Sequence, residues 1–334
     1  MCSSDLGGSL VVSELVDELR CIGVDARIAT LRARGDVFRM RFLDRPMVFD
    51  DVASMRKELP AADLVVATHW STAEWVRDLV AAGRARRAVY FLQDYEAWFY
   101  PETDQTTRAR VKASYEMIDD KIATSAWLAG MLRADGYEAR VVPPGLDLDV
   151  FYPRPLDKRG PPTVLAMARP RTPRRGFETV VATLERVHNA VPQAQLVLFG
   201  ERLGDMPLPF PYRGAGVITD RQRLARLYSG TRVHFDGSDF QAFGRANLEA
   251  MACGAVSVIT DTGGVREYAR DGENSLLVEP QDPAAAADAI ARLLSDAALH
   301  TRLRTEGLTT AAGWSMRRRA REHLTIYEAI VSTR

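Results

Sequence analysis

SDFQAFGRANLEAMACGAVSVITDTGGVREYARDGENSLLVEP, residues Ser238–Pro280, decides how this chain is read. It reads as a turn, a helix opening near Phe243, a buried strand over Ala255–Thr260, a Gly-Gly turn and a second helix start. Phe243-Gly244 stands at a helix N-terminus, where unpaired backbone N–H groups and the helix dipole favour an anion. Glu249 follows about one and a half turns later. Ala250, Ala252 and Gly254 let backbones approach closely. Gly263-Gly264, ahead of Val265-Arg266-Glu267, makes a second N–H-rich turn. Two such turns after strands suit the phosphates and ribose of a nucleotide.

Outward from this segment, short buried strands alternate with amphipathic helices, the pattern of a parallel doubly wound α/β sheet. Strands are expected at Ala26–Leu31, Asp63–Thr68, Arg87–Gln93, Lys121–Thr124 and Ala139–Val142. A second series covers Thr163–Ala168, Gln195–Gly200, Arg232–Asp236, Ala255–Thr260 and Ser275–Val278. Pro153, Pro155, Gly160, Pro161 and Pro162 read as a linker between them. The expectation is two Rossmann-like domains facing a cleft, residues 1–155 and 156–314. At the start, Gly7-Gly8-Ser9 leads into a helix with Val12, Leu15, Val16, Leu19 and Ile22 on one face, ending at Gly23. A Gly-rich loop before a helix normally follows a buried strand. The fold's first strand is therefore expected to be missing from the N-terminus, the alternative being a fold that begins with the helix.

The chain has 334 residues, 46% hydrophobic and 26% charged, ordinary for one large or two average globular domains. With 44 basic and 44 acidic residues, no net field recruits nucleic acid. Cys2, Cys21 and Cys253 make no disulfide framework, which points to a reducing compartment. No apolar run reaches the roughly 18 residues of a spanning helix. A cytoplasmic enzyme is the expectation. Arg27, Arg32, Arg34, Arg39, Arg41 and Arg45, with Phe38, Met40 and Phe42 among them, form a basic-aromatic segment. It is read either as a solvated face or as a peripheral contact with anionic lipid on the membrane's inner face.

Ser238, Phe243, Gly244, Glu249, Ala250, Met251, Ala252, Gly254, Val256, Gly263, Gly264, Glu267, Asp271, Gly272 and Asn274 resemble the donor-site signature of retaining GT-B glycosyltransferases of the family 4 type. The resemblance extends through both halves. Ala62–Trp70, ADLVVATHW, is similar to the family's D-V-V-H-x-H strand. Lys121–Pro153 resembles its strand-helix unit, followed by Pro143, Pro144, Gly145, Leu146, Asp147, Phe151 and Pro153. Leu165–Gly176, LAMARPRTPRRG, resembles its G-R-x-x-x-x-x-K-G loop, with Arg175 in place of Lys. Two positions depart: Gln241 stands where the family has the first of two glutamates, and Ala255 where it usually has Pro. The resemblance also implies that the last helix, within 315–334, crosses back to the N-terminal domain.

By the same resemblance, Arg169 and Arg175 are the clamp for a leaving diphosphate, a role guanidinium suits because its donors bind phosphate bidentately. A solvated basic turn, with Arg171 and Arg174 beside them, is the bland alternative. Glu249 is implied as the ribose ligand. Gln241 falls where the transferred sugar is contacted, keeping hydrogen bonds but losing the charge that would help an oxocarbenium-like centre. Gly7, Gly8, Phe243, Gly244, Gly263 and Gly264 complete the implied donor site. No metal and no cofactor are expected, the nucleoside-diphosphate sugar being a substrate. Asp147-x-Asp149 is read as a turn rather than a metal motif.

Arg87–Pro101, RAVYFLQDYEAWFYP, ends a buried strand in Gln93-Asp94, polar groups at a carboxyl edge where α/β sheets bind ligands. The family commonly has His there, so Gln93 or Asp94 takes that place. Tyr95, Trp98, Phe99 and Tyr100 make either an aromatic platform for an acceptor sugar or core packing. His69 is read as an acceptor contact or, as a lone histidine, a structural group. This block and the TPRRGFE run are similar to a subgroup that builds rhamnose-containing surface polysaccharides. The expected function is sugar transfer to a saccharide or lipid-linked acceptor. The rivals are a nucleotide-sugar epimerase of the same architecture and a weakly active sugar-nucleotide-binding remnant.

Overall fold

The computed structural model describes residues 5–32, 45–155, 160–204 and 206–333. The chain divides into two units, Met1–Gly145 with Met316–Arg334, and Leu146–Ser315. The first unit opens with α1 (Asp5–Cys21), then β1 (Ala29–Leu31), β2 (Met47–Phe49), α2 (Val52–Glu58), β3 (Ala62–Ala67) and α3 (Trp70–Ala81). β4 (Ala85–Leu92), α4 (Gln105–Tyr115), β5 (Lys121–Ala123), α5 (Ala126–Ala134) and β6 (Arg140–Val141) follow. β3, β4, β5 and β6 form one parallel sheet in that order, and β1 pairs with β2 in a separate parallel pair. Helix starts are set by local chemistry. Asp51 closes a capping box on α2, and the Ser125 hydroxyl accepts the Leu128 N–H at the start of α5.

The second unit runs β7 (Thr163–Ala168), α6 (Phe177–Ala190), β8 (Gln195–Gly200), β9 (Arg213–Gly216), α7 (Arg221–Ser229) and β10 (Val233–Asp236). It continues through α8 (Arg245–Ala252), β11 (Val256–Thr260), β12 (Leu276–Val278), α9 (Pro283–Ser295) and α10 (Ala297–Ala312). The sheet order is β12-β11-β10-β7-β8-β9, all parallel. Both faces are buried, and the alternation shows it. Val164, Ala166 and Ala168 of β7 pack with Val180, Leu184 and Val187 of α6 and Ile290 of α9. Leu165 and Met167 face Ala225 and Tyr228 of α7 and Leu248 and Met251 of α8. Strand order reverses between β7 and β10. Open α/β sheets bind ligands at that crevice, outside the strands' carboxyl ends. α11 (Met316–Ser332) closes the chain and belongs to the first unit. Its Ala320 and Ile330 pack with Leu15, Leu19, Val89 and Phe91, and His323 meets Phe91 edge-on at 5.0 Å.

Three expectations are corrected. Gly7 and Gly8 lie inside α1 rather than in a loop before it. A helix-interior glycine costs about 1 kcal/mol, less than burial of Leu15 and Leu19 on the same helix returns. The division falls at Gly145, not after Pro155. Leu146 and Phe151 are buried in the second unit's core, the Phe151 ring 6.4 Å from that of Tyr228. β2 and β9 were not expected, because MVF is short and RGAG carries no apolar alternation. Of the basic-aromatic segment, Arg34, Phe38, Arg39, Met40, Arg41 and Phe42 lie outside the described residues, as does Cys2.

Phe151→Ala should lower stability toward urea by about 3–5 kcal/mol, the cost of emptying a packed aromatic site. Val217→Ala, at a side chain that is 47% exposed, should change it by no more than about 0.5 kcal/mol. Equal effects would contradict the assignment of residues 146–155 to this core.

Candidate functional site

Arg169 leaves the carboxyl end of β7 and enters a run of tight turns. Thr172 N–H donates to Arg169 O at 3.0 Å, Arg175 N–H to Thr172 O at 2.9 Å, and Gly176 N–H to Pro173 O at 3.0 Å. The neighbouring carboxyl end, that of β10, carries Asp236-Gly237-Ser238. A Cβ on Gly176 would lie 1.9 Å from the Gly237 carbonyl oxygen, and Gly176 has φ +56°. Only glycine lets the two loops touch there. Asp239 N–H donates to Arg174 O at 2.9 Å, a second tie between them.

Asp236 is 2% exposed and anchors the assembly. Its Oδ1 accepts the Ser238 hydroxyl at 2.5 Å and the Ser238 N–H at 3.1 Å, and its Oδ2 accepts the Asn247 amide at 3.0 Å. Burial by itself would raise this carboxyl, but the Arg175 charge and the Ser238 bonds outweigh it and hold Asp236 below the ordinary carboxylate range. Arg175 in turn reaches the Ser238 hydroxyl and Gln241 Oε1, both at 3.4 Å. Arg169 is held below the usual guanidinium range by burial first and by the Arg175 charge second. Arg169 Nε, Arg175 Nε and Gln241 Nε2 are buried without a hydrogen-bond acceptor among the described residues. A buried unsatisfied donor costs about 1–3 kcal/mol. Donors of this kind, two of them cationic, fit the oxygens of an anion such as a diphosphate.

Gln241 is the hub of the next loop. Its carbonyl accepts the Gly264 N–H at 2.9 Å, and a Cβ on Gly263 would lie 1.9 Å from the same oxygen. Gly264 is thereby corrected as a phosphate-facing N–H: its proton already has an acceptor, and the Gly-Gly pair serves close packing. The Phe243 ring is likewise turned inward, 5.2 Å from Tyr268 and 5.4 Å from Trp314. The helix opens at Arg245 rather than near Phe243, with Gly244 as its N-cap, and the Gly244 carbonyl accepts the Tyr268 hydroxyl at 2.7 Å. Glu249, 7% exposed, pairs with Arg245 across one helical turn at 3.0 Å. Any ribose contact would share that carboxylate with Arg245. Tyr228 lies within reach of the charges of both Glu249 and Arg169, so the two belong to one neighbourhood.

The first-unit candidates divide. A Cβ on Gly8 would sit 3.4 Å from Gln93 Oε1, so Gly8 and Gln93 adjoin. Asp94 caps its own turn through Tyr95 N–H at 2.9 Å. Tyr95 is corrected as an acceptor platform: it is 3% exposed, its hydroxyl donates to Asp135, and its ring packs on Tyr115. Trp98 is half-buried, 5.3 Å from Tyr95 and 5.9 Å from Trp127. His69 caps α3, its Nδ1 accepting the Ser71 N–H at 3.3 Å. Asp147 forms the expected turn with Asp149 N–H at 3.1 Å and pairs with Arg221 at 3.2 Å. Arg27 and Arg32 are paired with Asp25 and Asp50. Among the described residues no cluster of His, Cys, Asp and Glu could hold a metal ion, and no helix is long and apolar enough to cross a membrane.

Sequence reasoning missed Asp236 and Arg245. An acid ending a buried strand, and an Arg-x-x-x-Glu spacing at a helix start, were the available signals.

Residues 161–296 are a glycosyl transferases group 1 domain. The chain is 31% identical over 288 residues to the O-antigen biosynthesis protein RfbC of Myxococcus xanthus, covering 84% of this chain and 21% of that protein. The chain thus spans about a fifth of that relative, and less than two thirds of the other curated relatives matched first. Among solved structures, Anabaena Alr3699/HepE in complex with UDP and glucose superposes with a TM-score of 0.78 at 17% identity, covering 97% of this chain and 96% of that one. Sucrose-phosphate synthase from Thermosynechococcus elongatus gives 0.75 at 23% identity, covering 97% and 94%. The glycosyl transferases group 1 domain therefore sits in a chain with the GT-B fold, two Rossmann-like α/β units.

His234, fully buried on β10 with its ring 5.5 Å from Tyr228, is pushed down to about 4 by burial. Between its ordinary value of 6.5 and about 4 the unfolded chain binds a proton that the folded chain does not. Its stabilising neutrality is therefore complete above 6.5 and lost as pH falls toward 4, by up to about 3 kcal/mol. Urea titrations from pH 7 to pH 4 should show a shallower acid-side decline for His234→Phe than for wild type. Parallel declines would contradict this.

Proposed function

We propose that this chain is a retaining, metal-independent glycosyltransferase that takes a nucleoside-diphosphate sugar as donor and needs no cofactor. The observation that carries the reading is the set of acceptor-less donors on Arg169, Arg175 and Gln241 at the reversal point of the second sheet. Breaking the bond between the sugar's anomeric carbon and the diphosphate oxygen leaves growing negative charge on that oxygen. Fixed guanidinium groups lower the energy of such a transition state without reorganising. The acceptor hydroxyl oxygen then bonds to the anomeric carbon on the same face, and its proton passes to the leaving diphosphate. Gln241, against Arg175, would orient the sugar through its amide. Arg245 would fix the rotamer of Glu249 for the ribose hydroxyls.

HepE's structure with UDP and glucose supports a donor of this class, and the RfbC match supports a saccharide or lipid-linked saccharide acceptor in surface polysaccharide synthesis. The acceptor would be met by the first unit, through Gln93, Asp94 and the half-buried Trp98. Cys21, exposed and free, suits the reducing cytoplasm as the place of reaction.

A panel of nucleotide sugars, with and without oligosaccharide acceptor, should give acceptor-dependent release of nucleoside diphosphate. Arg169→Ala should cut turnover by about a hundredfold. Conversion of the sugar without release would make the chain an epimerase, and binding with neither outcome a remnant. Wild-type turnover in Arg169→Ala would remove the clamp.

A further inference from the structure

A second group of cations lies at the opposite end of the second unit's sheet. Thr163 and Gln195 are the first residues of β7 and β8 and stand in register, and Arg213 is the first residue of β9. At about 3.3 Å per residue, β7 separates Thr163 from Arg169 by about 20 Å. Arg223 and Arg226, one turn apart on α7, join these residues around a cavity of about 380 Å³. Ile218 and Leu227 give it an apolar wall.

Some cations of the described surface are paired and others, Arg186, Arg292 and Arg321 among them, are not; here three unpaired ones line one hollow. Arg133 has Glu138 at 3.0 Å and Lys112 has Asp135 at 2.7 Å. Among the described residues, Arg213, Arg223 and Arg226 make no ion pair and no side-chain hydrogen bond. The acid nearest them in sequence, Asp220, is committed to capping α7, accepting Gln222 N–H at 2.9 Å and Arg223 N–H at 3.2 Å. All three arginines are exposed, so water and salt screen much of their mutual repulsion, and an anion bound among them would remove what remains. Guanidinium matches phosphate oxygens bidentately. The Thr163 hydroxyl, 3.3 Å from Gln195 Oε1, and the Gln195 amide offer partners for hydroxyl groups beside that phosphate. The volume lies within the range of small-molecule sites.

We propose that this cavity binds a soluble sugar or polyol phosphate, at a site separate from the donor crevice. Its arginines hold the phosphate, Thr163 and Gln195 meet the hydroxyls, and Ile218 and Leu227 pack against the carbon skeleton.

Calorimetric titration of the whole chain with glucose 1-phosphate tests this. Wild type should bind, Arg223→Ala/Arg226→Ala should bind at least about tenfold more weakly, and Arg169→Ala should bind within about twofold of wild type. Circular dichroism of each variant should match wild type, since the altered side chains at 223 and 226 are exposed. Absence of wild-type binding, or equal binding by the double variant, would overturn the proposal. Loss of binding in Arg169→Ala would overturn it too, by placing the phosphate in the donor crevice. Sedimentation with phosphatidylglycerol vesicles is the remaining arm. Retention of wild type but not of the double variant, without glucose 1-phosphate binding, would make the ligand a lipid headgroup and refute a soluble one. None of these failures touches the donor-site reading, which the nucleotide-sugar panel decides.

Discussion

Asp236 carries a charge with almost no water around it, and the loops after β7 and β10 are organised by that charge. Desolvation alone would make the carboxylate expensive to keep ionised. Ser238, Asn247 and Arg175 compensate, and each compensation fixes a piece of chain. Ser238 turns the loop after β10, Asn247 ties in the first turn of α8, and Arg175 brings the loop after β7 across. The contact of Gly176 with the Gly237 carbonyl then sets how close these loops can lie. Cations held this way need no reorganisation when negative charge develops beside them, which is the condition for electrostatic catalysis.

The same economy explains why glycines dominate the motif without all binding ligand. Gly263 allows its backbone to meet that of Gln241, and Gly264 satisfies the Gln241 carbonyl. The loop carrying Gln241 is therefore packed from behind, and its amide lies against Arg175 and Gly244. Phe243, buried between Tyr268 and Trp314, holds the far side. A run of residues that reads as a ligand cradle is in large part internal packing.

How much was legible follows from whether a feature is local. β7 and β8 were read to the residue because both faces of those strands are apolar, and a buried parallel strand is written in consecutive residues. Glu249 and the arginines were singled out through the family resemblance of the motifs around them, which are local in sequence. The boundary at Gly145 was not, because the proline-rich stretch after it is a local signal. Burial of Leu146 and Phe151 against α7 depends on residues more than seventy positions away in sequence, roughly the distance to Tyr228. Gly264 was misread for a similar reason: an N–H in a tight turn looks free until the carbonyl it meets is known. Tyr95 and His69 are also decided by distant or backbone partners, Asp135 and the first turn of α3. His234 and Asp236 show what composition hides, two polar side chains on one face of a strand that is buried on both.

The account rests on the loops after β7 and β10 forming one anion site around Asp236. Calorimetric titration with UDP, as a probe of nucleoside diphosphates, measures that site apart from any acceptor or turnover. Arg175→Ala should weaken UDP binding by about tenfold to a hundredfold, the worth of one charged hydrogen-bonded contact in a buried setting. An unchanged affinity in Arg175→Ala would contradict it.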